Sequence, residues 1–121
     1  MKFRNLGSSG LLVSEIGLGC NNFGMRLDVD GSRKVIHKAL DLGITLFDTA
    51  DVYGNKGGSE TIIGEILGPR RKDIVLATKF AMPMDESGKE KGASRARVDP
   101  FRQHDSGRLH AHSFPTVFGP A

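Results

Sequence analysis

The sequence predicts an α/β fold built on a parallel sheet, and its pattern of apolar residues supports this. Short apolar runs at residues 16–19, 44–48 and 73–79 have the length and composition of buried strands. Two segments with helical periodicity separate these runs. Such alternation is typical of parallel strands joined by right-handed crossovers. At 121 residues the chain has the length of one domain.

A hairpin is expected ahead of these units. Residues 2–14, KFRNLGSSGLLVS, place two short β-capable runs on either side of GSSG, which is typical of a hairpin with a loop of several residues. The first buried strand, IGLG at residues 16–19, follows directly. We therefore expect an antiparallel pair before the parallel sheet.

The first helix is predicted from Asp30 to Leu42. Its apolar residues recur on one face at helical spacing: Val35, Ile36, Ala39 and Leu40. Asp30 or Ser32 is expected to cap the start, and Gly43 stands where a left-handed residue ends a helix.

The second helix is predicted to begin at Ser59. Its apolar stripe consists of Ile62, Ile63, Ile66 and Leu67. Gly68 and Pro69 end it, because glycine accepts a left-handed conformation and proline cannot continue a helix. The strands at 44–48 and 73–79 lie on either side of this helix in the sequence.

Composition excludes several classes of function. The net charge is +3, from 17 Lys and Arg against 14 Asp and Glu, and the basic residues are scattered apart from PRRK at 69–72, so nucleic-acid binding is not predicted. The single cysteine, Cys20, suits a reducing compartment. The N-terminus lacks a long apolar core and a cleavage site, so we expect a cytoplasmic protein without a membrane segment. No metal site is predicted.

A glycine-rich turn, GLGCNNFG, occupies residues 17–24. It does not fit the dinucleotide-binding fingerprint, because a third glycine is missing at the required offset and no helix follows at once. Its glycines either let the chain turn after a strand or let the loop approach a ligand at the strand ends.

Asp48, Tyr53 and Lys79 are the candidate catalytic residues. Asp48 and Lys79 end two strands of one parallel sheet, so both are expected at the edge where ligands bind. Taken singly, Asp48 could cap a loop, Lys79 could extend into solvent and Tyr53 could cover an apolar patch. Taken together, a buried carboxylate could hold the ammonium group, and a nearby ammonium group favours the phenolate of a tyrosine.

The chain resembles the aldo-keto reductases, especially the branch that includes bacterial oxidoreductases and potassium-channel β-subunits. Four segments carry the resemblance, in the same order and spacing: GLGCNNFG, ALDLGITLFDTADVYG, SETIIGEIL and IVLATK. It covers residues 2 to about 95. It implies the N-terminal part of a (β/α)8 TIM barrel, an incomplete barrel whose hairpin closes the bottom.

The resemblance also implies a reaction. Members of this family reduce aldehydes and ketones with NADPH, so the expected partner is a small carbonyl substrate. Tyr53 would give a proton to the carbonyl oxygen, Lys79 would favour its phenolate, and Asp48 would pair with Lys79. The cofactor-binding residues would be Gly19, Cys20 and Asn21 in the first βα loop, together with Asp48. The oligomeric state is left open.

The sequence departs from the family after residue 95. Residues 96–121 contain no Lys, Glu or Ile and have no helical or strand periodicity, so we expect a divergent, disordered tail produced by truncation or a shifted reading frame. The family's catalytic histidine lies in a run that VDPFRQH, residues 98–104, partly matches. His104 is either that histidine after a deletion or a chance likeness.

A whole barrel of this kind needs roughly 250 residues. We therefore expect residues 1–95 to form a partial barrel that is inactive by itself, although its family is enzymatic. The alternative function is a regulatory or binding subunit that holds the cofactor without turnover.

Overall fold

The computed structural model describes residues 1–80. The predictions for the tail, for the boundary near residue 95 and for His104 lie outside these residues. The chain begins with the predicted hairpin, in which β1 (Phe3–Asn5) pairs antiparallel with β2 (Leu12–Ser14). Its turn contains Gly7 and Gly10, both with positive φ.

Three parallel strands form the sheet that carries the site. In the order β3 (Gly17–Gly19), β4 (Leu46–Asp48) and β5 (Val75–Ala77), each strand pairs with its neighbour. The predicted parallel sheet is therefore confirmed. The strands are shorter than the apolar runs, because strand pairing begins at Leu46 and because the 3-10 helix Gly68–Asp73 takes up the residues before β5.

Helix α1 (Val29–Asp41) links β3 to β4. The expected cap at Asp30 or Ser32 is wrong, because Asp28 caps the helix by accepting a hydrogen bond from the Gly31 backbone N–H at 2.8 Å. Asp30 lies in the first turn, where its charge favours the helix dipole, and Ser32 is fully buried.

Helix α2 (Tyr53–Leu67) links β4 to β5. It is interrupted, since Gly54–Gly57 have positive φ angles, and its regular part follows Gly57. The predicted start at Ser59 describes this regular part. Gly68, with φ of 46°, ends the helix as predicted.

The core lies between the helices and one face of the sheet. Phe47 is fully buried with Ile36 of α1 and Ile63 of α2. Its neighbours Leu46 and Asp48 point to the opposite face, since side chains alternate along a strand, and they are half-buried and exposed. The expected burial of this strand on both faces is therefore confirmed for one face only among residues 1–80.

Candidate active site

The ends of the three parallel strands bring the predicted site residues to one edge. Gly19 is in register with Asp48, and Asp48 with Ala77. Lys79 follows two residues after Ala77. A carboxylate and an ammonium group therefore leave neighbouring strands at the same edge, where ligands bind in α/β folds.

Asp48 and Lys79 form an ion pair. The Lys79 Nζ donates hydrogen bonds to Asp48 Oδ1 at 2.9 Å and to Oδ2 at 2.7 Å. The expected buried carboxylate is wrong, since the two side chains are 53% and 49% exposed. They extend from the open face of the sheet, which no element of residues 1–80 covers fully.

The electrostatics of Lys79 favour its charged form. Partial burial lowers the pKa of Lys79, but its hydrogen bonds to Asp48 and the charge of that carboxylate, with a smaller contribution from Tyr53, outweigh burial and raise the pKa overall. A persistent positive charge therefore faces the tyrosine.

Tyr53 is placed by a segment that follows β5. The backbone N–H groups of Thr49 and Asp51 donate to the carbonyl oxygens of Ala77 at 2.8 Å and Lys79 at 3.0 Å. These bonds hold the chain that leaves β4 beside the end of β5. Tyr53 begins α2 two residues after Asp51. The Lys79 Nζ lies 5.2 Å from the centre of the Tyr53 ring. The structure thus brings Asp48, Tyr53 and Lys79 together.

The three residues predicted to approach a cofactor differ in what they expose. Gly19 is exposed, with no atom within 4 Å of where a Cβ would stand, so the space above this strand end is open. Asn21 is exposed as well. The Cys20 side chain is fully buried, and its backbone N–H donates to Asp48 O at 2.9 Å. Burial, with the charge of Asp48, raises the pKa of the Cys20 thiol to about 12, so it is not a reactive thiolate.

Gly54, immediately after Tyr53, is required by close backbone contact. Its φ is 68°, and a Cβ at this position would meet the backbone N of Ser59 and lie 2.6 Å from the Phe23 carbonyl oxygen. The loop after β3 therefore packs directly on the chain that leaves Tyr53. A glycine next to the tyrosine was visible in the sequence, but this role was not predicted.

Four polar residues beside the site were not predicted from the sequence: Thr49, Ser59, Glu60 and Thr78. Each makes a side-chain hydrogen bond that joins α2 to a strand end. Only their positions in the sequence could have indicated them. Thr49 and Thr78 adjoin Asp48 and Lys79, and Ser59 and Glu60 begin the regular part of the helix.

Comparison with known proteins shows the family. Residues 15–104 match the Aldo/keto reductase family, and this range covers most of the chain and ends at His104. The chain belongs to the aldo/keto reductase family.

Individual members of the aldo/keto reductase family are similar over most of this chain. It is 41% identical over 86 residues to the uncharacterized oxidoreductase YqkF of Bacillus subtilis (strain 168), covering 71% of this chain. It is 38% identical over 102 residues to a probable voltage-gated potassium channel subunit beta of Oryza sativa subsp. japonica, covering 81% of this chain. The chain spans only 27% and 30% of those two proteins.

A solved structure confirms the predicted part of a TIM barrel. The holo form of the aldo-keto reductase AKR11C1 from Bacillus halodurans superposes with a TM-score of 0.69 and 42% identity, over 85% of this chain and 34% of that one. Within residues 1–80, no group of three or more His, Cys, Asp and Glu side chains could hold a metal ion. No helix in that part is long and apolar enough to cross a membrane.

Proposed function

We propose that this chain carries the proton-transfer site of an NADPH-dependent aldo-keto reductase that reduces an aldehyde or ketone to an alcohol. The observation that carries this proposal is the pairing of Lys79 with both oxygens of Asp48, beside the Tyr53 ring. A structural ion pair would need no tyrosine next to the ammonium group. The protein's compartment is the cytoplasm in this proposal, in keeping with a lone buried cysteine.

Each of the three residues has a defined task. Tyr53 donates its phenolic proton to the carbonyl oxygen as that oxygen gains negative charge. Lys79 stabilises the phenolate that remains, because its ammonium group faces the ring. Asp48 keeps Lys79 charged and fixes its direction through two hydrogen bonds.

The residues around this edge fit a nicotinamide cofactor. In this proposal the nicotinamide ring lies near Gly19, where no atom comes within 4 Å of a Cβ position, and the exposed Asn21 amide and Asp48 carboxylate supply a donor and acceptors. Cys20 can contribute only its backbone, since its side chain is buried. NADPH, when bound, supplies the hydride for the carbonyl carbon, and the protein supplies position and the proton.

The chain by itself is inactive in this proposal. It spans 27% to 34% of its relatives, and residues 1–80 hold three of the eight parallel strands of a barrel. Whether His104 completes the site is part of the same test. A second candidate, a subunit that holds the cofactor without turnover, is favoured by the 38% identity to a potassium channel subunit beta.

A chimera tests the proposal. Residues 1–95 replace the matching segment of the Bacillus halodurans aldo-keto reductase, and NADPH oxidation with 4-nitrobenzaldehyde is followed by absorbance beside the unaltered parent. We expect turnover by the chimera and none by the 121-residue chain. A folded chimera that binds NADPH without turnover would support the second candidate. Turnover by the chain alone that Tyr53→Phe abolishes would contradict its inactivity, and loss of that turnover on His104→Ala would assign this histidine.

A further inference from the structure

Two adjacent side chains at the start of the regular part of α2 contact the ends of all three parallel strands. Ser59 bonds to the chain after β3 and β4, and Glu60 bonds to the chain after β5. Neither residue belongs to the proposed proton-transfer site.

Ser59 joins two strand ends through one hydroxyl group. Its Oγ donates to the Cys20 carbonyl oxygen at 2.8 Å and lies 3.1 Å from Thr49 Oγ1. A hydroxyl group has one proton, so Thr49 must donate to Ser59. All three residues are fully buried, which makes each of these bonds costly to lose.

Glu60 joins the third strand end. Its carboxylate accepts a hydrogen bond from the Thr78 hydroxyl group, and both residues are half-buried. Thr78 immediately precedes Lys79. The helix start is therefore tied to the residue next to the lysine of the site.

Each residue that Ser59 or Glu60 contacts is next to a site residue in the sequence. Cys20 follows Gly19, Thr49 follows Asp48 and Thr78 precedes Lys79, so each bond fixes a neighbour of a site residue. Ser59 does not act as an ordinary helix cap, which would accept a hydrogen bond from its own helix. It donates across to another element instead.

The segment between Tyr53 and Ser59 explains why such an anchor is needed. Gly54–Gly57 have positive φ angles, and glycine occupies three of the five positions 54–58. Glycine leaves the backbone free to adopt other conformations. The backbone bonds of Thr49 and Asp51 hold the chain before Tyr53, and the bonds of Ser59 and Glu60 hold it beyond this segment.

We propose that Ser59 and Glu60 are positioning residues that hold the three strand ends together and keep Tyr53 against Lys79. This inference rests on the proposed function, because it gives the two residues a task in that site. They act through Thr49, Cys20 and Thr78 and do not touch the reacting atoms.

Nuclear magnetic resonance of the full 121-residue chain tests this directly. Tyr53 is the only tyrosine, so its ring protons are identified without ambiguity, and we expect a nuclear Overhauser contact between them and the ε-protons of Lys79. The contact should be lost in Ser59→Ala, Glu60→Ala and Thr78→Val. It should be kept in Glu60→Gln, which retains the acceptor oxygen.

Two control variants on the same helix separate positioning from general weakening. The hydroxyl group of Thr61 bonds only within its own helix, to Gly57 O at 3.0 Å, and Glu65 is exposed. Thr61→Ala and Glu65→Ala should keep the contact. If Ser59→Ala fails to fold, Glu60→Ala and Thr78→Val decide, since both positions are half-buried.

Three results would overturn the proposal: no contact in the unsubstituted chain, a contact retained in both Glu60→Ala and Thr78→Val, or equal loss in the controls. This measurement needs neither NADPH nor turnover. An inactive chimera would thus count against the proposed function alone, while an unchanged contact would count against the positioning role alone.

Discussion

The two ends of β4 are each joined to their surroundings by a buried serine, but the two serines do different work. At the start of the strand, Ser14 Oγ accepts from the backbone N–H groups of Thr45 at 2.9 Å and Leu46 at 3.3 Å, and donates to Ile16 O at 2.6 Å. At the other end, Ser59 connects the Cys20 carbonyl oxygen to the Thr49 hydroxyl group.

The difference lies in what surrounds each serine. Ser14 satisfies backbone groups that begin the sheet, and it attaches the hairpin with neutral bonds alone. Ser59 bonds to Thr49, the residue after Asp48, and Asp48 forms a half-exposed ion pair with Lys79. One end of the sheet is built for stability and the other holds polar groups where a ligand can reach them, as is usual for parallel strands in barrels.

The largest expected effect is on catalysis at the carboxyl end. In the chimera, Tyr53→Phe should lower kcat/KM by about 100- to 10,000-fold, since it removes the proposed proton donor while keeping the ring. Thermal unfolding should barely change, because Tyr53 is half-buried and the substitution keeps its ring. Steady-state assays of NADPH oxidation measure the effect.

The matched control for this substitution is in the hairpin. Leu12 is 61% exposed, and Leu12→Ala should leave kcat/KM within about twofold. If Tyr53→Phe lost no more activity than Leu12→Ala, the proton would come from another group. The proposed difference in function between the two ends of the sheet would then be wrong.

The next largest effect is on stability, at two glycines with positive φ angles. Gly54→Ala should lower the free energy of unfolding by about 2–5 kcal/mol, because left-handed strain adds to a clash with the Phe23 carbonyl group. Gly7 in the hairpin has φ of 55° and open space around it, so Gly7→Ala should cost only about 1–2 kcal/mol. Urea titrations of the 121-residue chain compare them, and equal losses would show that the close contact at Gly54 has no cost.

The residues at the carboxyl ends of the strands could be predicted from the sequence better than the contacts that hold them in place. The meeting of Asp48 and Lys79 could be predicted, because parallel strands bring their ends to one edge whatever the side chains are. The left-handed segment Gly54–Gly57 could not, since glycine permits such a conformation without dictating it.

The errors have similar physical causes. Asp28 caps α1 because tertiary packing buries Ser32, and capping preferences alone do not separate such neighbours. The half-exposure of Asp48 depends on which elements cover the open face of the sheet, and the local sequence does not encode this.

A smaller effect is expected at the amino end of β4. Ser14→Ala should lower the free energy of unfolding by about 1–3 kcal/mol, because the Thr45 and Leu46 N–H groups and the Ile16 carbonyl group lose a partner. In the chimera it should leave kcat unchanged. Ser9→Ala is the control, since its hydroxyl group is exposed in the hairpin turn, and a loss equal to that of Ser14→Ala would remove the special role of this serine.

The smallest expected effect is the contribution of the ion pair itself to stability. Lys79→Met should lower the free energy of unfolding by no more than about 1 kcal/mol near neutral pH, because both side chains are half-exposed and solvent screens them. The folded-state pKa of Lys79 is raised above its ordinary value of 10.5, so its contribution is complete below that pH and is lost as pH rises through the folded-state pKa. The difference between the unsubstituted chain and Lys79→Met should therefore stay constant up to about pH 9 and shrink in strong alkali. Lys34→Met removes an equal charge from an exposed site on α1 and corrects for net charge. A difference that grows with pH, or a loss above about 2 kcal/mol, would mean that Lys79 stabilises the fold as Ser14 does, and the contrast between the two ends would fail.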